Sequence, residues 1–296
     1  MSLFLKDYTY LVSSLVEYSV DSDGKGLDVR ALLEQMDESL EARDKRHVAM
    51  LLWRHDIENI MAAKAGRARY AVPANLSAEQ VAEVCGYYFS SGKDGGAVAP
   101  VEIQIPHYIE RVLDSYRDQM RAMDEQIDTS ADMEHTLWEC YYAAAERSSS
   151  SFMRRWSRFD RQLRNIVAAF AARAKGIDIS GVLVGHDEVT ERLVADTSAG
   201  FGLAGSFDGS DELTAILESD DMLAKERRLD VFRWRKVDEL TTFDYFNINF
   251  VLGYLVKVGI ICRWMVLDRE TGRQMLDRMI EQLTPAEVVR QAVMRG

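Results

Sequence analysis

The longest apolar stretch of the chain, Phe250–Asp268, predicts a helix that is buried on nearly every side. Only two glycines and Lys257 interrupt the apolar side chains over its first part. A membrane span needs ~20 predominantly apolar residues, and Lys257 within the run and Arg263 at its end cut this one short. A pair of strands turning at Gly253 or Gly259 is the remaining alternative. We therefore expect a central, buried helix in this stretch.

Helical spacing of apolar residues elsewhere predicts an all-α protein, built as an elongated multi-helix body of two or three related helical units. Ser77 and Gln80 have the spacing of a capping box at a helix start. Tyr8–Glu17 fits either a strand or a helix. The other predicted helices are Leu27–Leu40, Ala42–Ala65, several within His107–Ala174 with a break at Asp128–Ser130 and a bend at Ser148–Ser151, a run from Asp211 onward, one after Asp268, and a short one opened by Thr284-Pro285.

A glycine-rich stretch, Gly176–Gly209, interrupts this pattern and predicts a long irregular connection. The alternative, a phosphate cradle, has little basis, because the stretch matches neither the GxGxxG nor the GxxxxGK[ST] pattern. We expect a single body over residues 1–296, with internal units of roughly 1–105, 106–176 and 210–296 and a glycine-rich connection at 177–209.

The net charge of -12 and the pI near 5.0 argue against a nucleic-acid partner held through its phosphates and against charge-driven docking on anionic lipid. Cys85, Cys140 and Cys262 are widely spaced in apolar or aromatic surroundings, which indicates free buried thiols in a reducing compartment. No basic segment precedes a clean apolar stretch at the N-terminus, so we expect it to belong to the fold and not to a signal peptide.

No common catalytic or metal-binding pattern occurs in the sequence. None of the five histidines lies three or four residues from another, and HExxH, CxxC and GxSxG are missing. On a helix, His135 would share a face with Glu139, beside Glu134 and Cys140, and we interpret the two as an ordinary surface pair. We therefore predict no catalytic residues, no metal site and no cofactor.

Five arginines at helical spacing form a basic face with Trp156 and Phe159 between them. Such a face would grip an acidic partner helix, or it would be a solvated face paired with local acids, and the sequence leaves both open. The arginines are Arg154, Arg155, Arg158, Arg161 and Arg164.

Two segments of the chain resemble each other. Arg54–Lys64 and Asp160–Phe170 share a charged residue followed by Asn-Ile-x-Ala-Ala, which places Asn59 and Asn165 at equivalent positions. Ile260–Trp264, within the apolar stretch, is a degenerate third copy.

An asparagine in the middle of a helix is unfavourable unless its amide has a partner. The alanines that follow each asparagine indicate a close helix–helix approach, in which the amide hydrogen-bonds to a neighbouring backbone. Asp56 or Asp160 would help to fix that contact.

Taken in order, these motifs resemble the C subunit of V-type and archaeal-type ATPases, whose eukaryotic form is called d. The resemblance rests on Asp56-Ile-Glu-Asn-Ile, on Arg164-Asn165-Ile166 and on the late Val251-Leu-Gly-Tyr-Leu…Arg263-Trp. In that family an Asp-x-x-Asn helix recurs in related helical units and a Gly-Tyr-Leu…Arg helix lies near the end. The opening Tyr8-Thr-Tyr-Leu-Val-Ser-Ser-Leu and the order of the motifs look closer still to a bacterial family of unassigned function whose genes are associated with V-type ATPase operons.

The chain departs from the family of the C subunit in three ways. It is short for that family, and it carries Lys257 and Ile260 where the family tends to have an acidic residue before its arginine. Gly176–Gly209 has no counterpart that we can place.

The resemblance implies a non-catalytic connector in the central stalk of a V-type ATPase, involved in ion transport. Such a connector is a funnel-like helical body that sits on the membrane rotor ring, receives the central stalk and passes torque between them. It would be cytoplasmic and peripheral on the membrane through these protein partners, with no direct lipid insertion, no nucleic acid, and no bound metal or nucleotide. Asp56, Asn59, Asn165 and Arg263 would then be packing residues that hold the helical units together.

Two other classes of function stay open at this point. One is a helical adaptor or scaffold in another assembly. The other is an enzyme that uses Gly176–Gly209 and the region around Glu134 and His135.

Overall fold

The structure is a computed structural model that describes residues 6–67, 70–89, 100, 102–122, 130–198 and 200–282, with side chains up to Leu267 in the last helix. Within these ranges the chain forms helices and no strand, which confirms the all-α prediction. The helices are α1 (Thr9–Ser14), α2 (Val29–Ser39), α3 (Ala42–Lys64), α4 (Ala78–Phe89), α5 (His107–Ala122), α6 (Ser130–Ala145), α7 (Ser151–Lys175), α8 (Glu188–Ala195), α9 (Ser210–Leu217), α10 (Met222–Thr241) and α11 (Ile248–Gln282).

Side chains that cap the helix ends fix several of these starts. The Ser150 hydroxyl and the Asp221 carboxylate each accept a hydrogen bond from a backbone N–H three residues on, which satisfies one of the unpaired donors of the first turn. The capping box predicted at α4 is present, since the backbone N–H groups of Ser77 and Gln80 each bond to the other residue's side chain. The predicted bend at Ser148–Ser151 separates α6 from α7.

The apolar stretch forms the first half of α11, which packs against α3, α7 and α10. Its buried side chains include those of Val251, Leu255, Val258 and Ile261, so the prediction of a buried helix is confirmed. In the described part of the chain, Ile248–Leu267 is the one helix long and apolar enough to cross a membrane, and 56% of its apolar window is buried inside the protein. A core helix of a soluble protein gives the same signal.

Two glycines let α11 approach its neighbours closely. A Cβ at Gly253 would lie 2.7 Å from the Thr241 methyl group and 3.0 Å from a methyl group of Val237, both on α10. A Cβ at Gly259 would lie 3.0 Å from the imidazole ring of His55 on α3. The glycines are therefore sites of helix contact and not the strand turns considered above.

The helices pack mostly with their neighbours in sequence: α1 with α2, α3 with α4, α5 with α6, α7 with α8, and α10 with α11. Contacts of α3 with α6, and of α7 with α6, α10 and α11, join these pairs into one body. The main cluster of buried apolar side chains extends from Tyr8 to Cys262 and takes members from each of the described helices. This core runs through all three of the predicted units. The division into units stays a prediction.

The segment predicted as an irregular connection, Gly176–Gly209, has no regular structure over most of its described residues, but it is more than a linker. The segment contains α8 and a 3-10 turn at Ser180–Val182, and it buries Phe201, Leu203 and Phe207 in the core. Its glycines make turns that lead these side chains inward. At Gly209, φ is +77° and a Cβ would lie 2.8 Å from the ring of Phe232 on α10, so the turn into α9 requires glycine. The segment is a packed part of the fold.

The remaining predictions had mixed outcomes. Tyr8–Glu17 contains the short helix α1 and no strand. The three cysteines are free, as predicted, but only Cys262 is buried, whereas Cys85 and Cys140 are half-buried. Helix α6 begins at Ser130, while the rest of the predicted break at 128–129 and the terminal helix at 284 lie outside the described residues.

We expect Gly253→Ala to lower the free energy of unfolding by ~1–3 kcal/mol, because the added methyl group overpacks the contact between α10 and α11. Gly86→Ala on α4 is the matched control: a Cβ there meets nothing within 4 Å, so the gain in helix propensity should stabilise by roughly 0.5–1 kcal/mol. Urea unfolding followed by circular dichroism measures both. Equal gains from the two substitutions would contradict the close approach.

Candidate functional site

Asn59, in the middle of α3, holds the backbone of the loop that leads to α4. Its Nδ2 donates to the carbonyl oxygen of Ala71 at 3.0 Å, and its Oδ1 accepts from the backbone N–H of Ala71 at 2.6 Å. The side-chain amide therefore satisfies both polar groups of one residue, as a neighbouring strand would. We call this two-bond arrangement an asparagine clamp. The predicted amide–backbone contact is present, although the backbone belongs to a loop and not to a neighbouring helix.

Asp56, one turn before Asn59, holds the next part of the same loop. Its carboxylate accepts from the backbone N–H of Leu76 at 3.0 Å and from the side-chain amide of Asn75 at 2.7 Å. The side chain of Asp56 is fully buried. Burial raises the pKa of this carboxyl to about 6, against the hydrogen bonds from Leu76 and Asn75, which favour the charged form.

Asn165 on α7 forms a second asparagine clamp. Its Nδ2 donates to the carbonyl oxygen of Val184 at 2.8 Å, and its Oδ1 accepts from the backbone N–H of Val184 at 2.9 Å. One turn earlier, Gln162 donates to the carboxylate of Asp187 at 2.8 Å, and Arg161 bonds to the same carboxylate at 3.1 Å. This clamp therefore also holds a loop that leads from a long helix to a short one.

The two clamps belong to the same supersecondary arrangement. In each, a long helix carries the asparagine, the clamped loop follows, and a helix packed back on the first begins with a capping box. In the second arrangement Asp187 and Thr190 form that box. Asp187 is therefore hydrogen-bonded both to the first turn of α8 and to side chains of α7. The start of α8 at Asp187 is thus fixed to α7.

Equivalent positions of the two repeated segments also meet each other. Arg54 and Asp160 each lie five residues before their asparagine, and the Nε of Arg54 donates to the Asp160 carboxylate at 3.0 Å. The hydroxyl of Tyr142 on α6 donates to the same carboxylate at 2.7 Å. Burial acts to raise the pKa of Asp160, but the guanidinium groups of Arg54 and of Arg233 on α10, together with Tyr142, outweigh it and hold the pKa below its usual range.

Arg263 connects α11 to α10 through another buried carboxylate, Asp230. Arg263 donates to Asp230 at 2.8 Å and also pairs with Glu226. The indole N–H of Trp264 and the guanidinium of Arg233 donate to Asp230 as well, at 2.9 and 2.7 Å. The degenerate third copy around Arg263 therefore replaces an asparagine clamp by a network of charged hydrogen bonds.

The predicted basic face is engaged with the protein itself. Arg161 pairs with Glu146 at 2.6 Å and Arg158 lies 3.8 Å from the same carboxylate. Arg164 stacks over the ring of Trp138, with 4.4 Å between the guanidinium carbon and the ring centre. The remaining two donate to backbone carbonyl groups: Arg154 to Ser148 and Arg155 to Leu240. Of the two alternatives, pairing with groups of the same chain is the one that the structure supports.

His135 and Glu139 form the predicted pair on α6, with 3.5 Å between the imidazole Nε2 and the carboxylate. Within the described ranges, no group of three or more His, Cys, Asp or Glu side chains is arranged to hold a metal ion. An open groove of about 430 Å³ lies between α5 and α6 and includes Cys140, but its other side chains show no arrangement typical of catalysis. The best-defined polar site is thus the pair of clamps and the charges between them.

Comparison with known proteins places this architecture in a family. The sequence profile described as "Protein of unknown function (DUF2764)" matches residues 5–286. The chain belongs to this family. The matched residues include both clamps and the paired charges.

A curated relative from Chlamydia pneumoniae, described as an uncharacterized protein, is 28% identical over 138 residues, which cover 45% of this chain. The chain spans about half the length of this relative, 51%. No solved structure gave a significant match.

Sequence reasoning found Asp56, Asn59, Asn165 and Arg263 but missed several groups that hold the site together. Asp230 is the most important of these, because four side chains donate to it or pair beside it. It was missed because an aspartate on the buried face of a helix cannot be told from an exposed one by sequence alone. Equivalent positions in the two repeats were a usable signal, because they align Arg54 with Asp160 and these residues have opposite charge. The other missed residues are Tyr142, Asp187 and Arg233.

We expect Asn59→Ala and Asn165→Ala each to lower the free energy of unfolding by ~1–3 kcal/mol, because each leaves the backbone N–H and C=O of one residue without their partner. The loss should be larger for Asn165, since Val184 is buried whereas Ala71 is half-buried. Urea unfolding measures this, with Gln119→Ala on the exposed face of α5 as a control expected to change stability by less than about 0.5 kcal/mol. Unfolding curves like that of the wild type would show that the clamps carry little energy.

Asp56 should make stability depend on pH in an unusual direction. Its folded pKa of about 6 exceeds the ~3.9 of an unfolded aspartate, so the stabilising contribution of the protonated carboxyl is complete below about pH 4 and is lost as the pH rises through about 6. The difference in unfolding free energy between wild type and Asp56→Asn should therefore fall by up to about 3 kcal/mol from pH 4 to 7. A difference that is constant or grows with pH would contradict this assignment.

Proposed function

We propose that this DUF2764 protein is a non-catalytic connector in the central stalk of a V-type ATPase, where it couples the rotary stalk to the membrane rotor ring. The observation that carries the proposal is the pair of asparagine clamps. The first clamp has the Asp-x-x-Asn spacing on which the resemblance to the C subunit rests, in Asp56 and Asn59. The second keeps the asparagine, Asn165, but has Gln162 in place of the aspartate.

The contacts between helices suit a protein that transmits mechanical force. Removing one partner of a buried ion pair costs about 3–5 kcal/mol, because it leaves an uncompensated charge. A relative shift of α3 and α7 would separate Arg54 from Asp160, and a shift of α10 against α11 would separate Asp230 from Arg263. Such a body resists the shear that a rotating connector experiences. Protein interiors in general pack at close to the density of organic crystals, which makes such a body stiff.

The surface and compartment expected for this role agree with the composition. The net charge of -12 suits attachment through protein partners more than through anionic lipid, and the apolar face of α11 over Ile248–Trp264 is largely covered by the protein's own helices. Free cysteines suit a reducing compartment. The proposed location is therefore cytoplasmic and peripheral on the membrane, held by the stalk and the ring.

Affinity purification of the tagged protein from gently solubilised native membranes tests the partners. We expect stalk and ring components of the V-type ATPase to be recovered in fixed proportion, as judged by quantitative mass spectrometry. Deleting the gene should abolish ATP-driven ion pumping while ATP hydrolysis by the soluble head persists, because the connection between head and ring is lost. Failure to recover either set of components from membranes with an intact ATPase, or pumping that survives the deletion, would favour an adaptor in another assembly.

A further inference from the structure

The groove between α5 and α6 has an apolar floor. Val112 and Tyr116 of α5 and Met133 and Cys140 of α6 form this floor, and each of them is buried or half-buried. The groove has a volume of about 430 Å³, within the ~300–1,000 Å³ that is usual for small-molecule sites. It therefore has the size and the lining of a binding site for a small apolar group.

The edges of the groove are polar, which limits the width of what fits. Ser115 and Gln119 on α5 and Thr136 on α6 line it and are exposed. Because the two helices pack on each other, their axes lie about 8–10 Å apart and the floor between them is narrow. A docked helix, ~10–12 Å across, would rest on the polar edges, whereas a single alkyl chain can reach the floor. The groove thus suits a narrow, linear apolar group.

Two arginines without partners lie at one end of the groove. Helices α5 and α6 follow each other in the chain and pack side by side, so they run antiparallel. Arg111, near the start of α5, and Arg147, just after the end of α6, therefore line the same end. Neither guanidinium has an ion pair or a hydrogen bond among the described residues.

Tyr108 lines the same end of the groove and adds a third donor. Its hydroxyl has no hydrogen-bond partner in the described part of the chain. Burial raises the pKa of this hydroxyl to about 12, so it keeps its proton at neutral pH. Three side chains with unused donors thus meet where the groove is most cationic.

The acidic group that lines the groove is at the opposite end. Asp132 lies on the order of 20 Å from Arg147 along α6, at about 1.5 Å per residue. That separation is about two Debye lengths in 0.1 M salt, so Asp132 does not neutralise the arginines. The other nearby carboxylates of these helices do not line the groove and lie near other groups: Glu110 3.8 Å from His107, Asp114 3.2 Å from Arg117, Glu139 3.5 Å from His135 and Glu146 2.6 Å from Arg161.

We propose that this groove binds a single-chain amphipathic anion, with its alkyl chain along the floor and its carboxylate on Arg111 and Arg147. The guanidinium groups and the hydroxyl of Tyr108 donate to the carboxylate, and hydrogen bonds of this charge-assisted kind are the strong ones. Asp132 would repel the carboxylate at the other end, so the ligand binds in one direction. The inference goes beyond the connector role and does not depend on it.

Protection of the Cys140 thiol measures the binding. The full-length protein is treated with iodoacetamide, with and without decanoate below its micellar concentration, and the alkylation of each cysteine is followed by mass spectrometry. We expect saturating decanoate to slow the alkylation of Cys140 by about tenfold or more, because the alkyl chain blocks access to the thiol. Cys85 is also half-buried but does not line the groove, so its rate should not change. Decyltrimethylammonium, which has the same chain and a positive head, should leave Cys140 reactive.

Substitution of the arginines tests the position of the carboxylate. Arg111→Gln combined with Arg147→Gln should raise the decanoate concentration needed for half-protection by about tenfold or more, because charge-assisted hydrogen bonds are lost. Arg121→Gln should not, since this exposed arginine of α5 does not line the groove. Each variant is compared with and without decanoate, which removes any change in thiol reactivity. Thermal unfolding of the double variant should match that of the wild type, because both side chains are exposed and unpaired.

Several outcomes would overturn the site. They are equal protection by the cationic detergent, protection that the double variant retains in full, equal slowing at Cys85, and no protection of Cys140 up to the micellar concentration. Vesicles of phosphatidylglycerol separate a free single-chain anion from a membrane surface: they should leave Cys140 reactive, and protection by vesicles but not by decanoate would also refute the proposal. The connector role stands or falls separately, on the affinity purification.

Discussion

The requirement that a buried carboxylate be surrounded by donors fixes the centre of this protein. Asp160 on α7 is out of water, so Arg54 from α3 and Tyr142 from α6 must both reach it. Compared with well-packed apolar residues, such a pair adds little net stability, yet losing one partner is costly. The network therefore specifies one relative placement of α3, α6 and α7, and it contributes little to the net free energy of folding. Asp230 imposes the same condition on α10 and α11.

The asparagine clamps act at a different level, within each unit. A side-chain amide that satisfies both polar groups of Ala71 or Val184 lets an irregular loop lie against a helix at no cost in unpaired backbone groups. The loop is thereby positioned so that its last residue caps the next helix. Local clamps shape the units and central charges join them, and the proposed role as a stiff connector draws on both.

Much of the fold was readable from the sequence, because its helices are long and their apolar positions strongly periodic. The capping box at Ser77 and the buried helix after Phe250 follow from local patterns, and the structure has both. The need of Asn59 and Asn165 for a partner was also predictable, since an amide in mid-helix has nothing else to bond. Which backbone they hold was not, because that depends on where a loop returns in three dimensions. The glycine-rich segment misled for a related reason: glycine turns signal irregular structure locally, while the burial of Phe201 is decided by the surrounding helices.

The spacing of the contacts has a consequence for how the chain folds. The clamps join residues that are 12 and 19 positions apart, whereas Arg54 and Asp160 are separated by 106. Closing the longer clamp loop costs only about 0.4 kcal/mol more than closing the shorter one, by the logarithmic dependence on loop length. Short-range contacts of this kind form early, whereas a contact that spans a third of the chain must wait for its surroundings. Each arrangement of long helix, clamped loop and short helix can therefore form before the other. The Arg54–Asp160 pair forms only when α3 and α7 have met in the correct orientation.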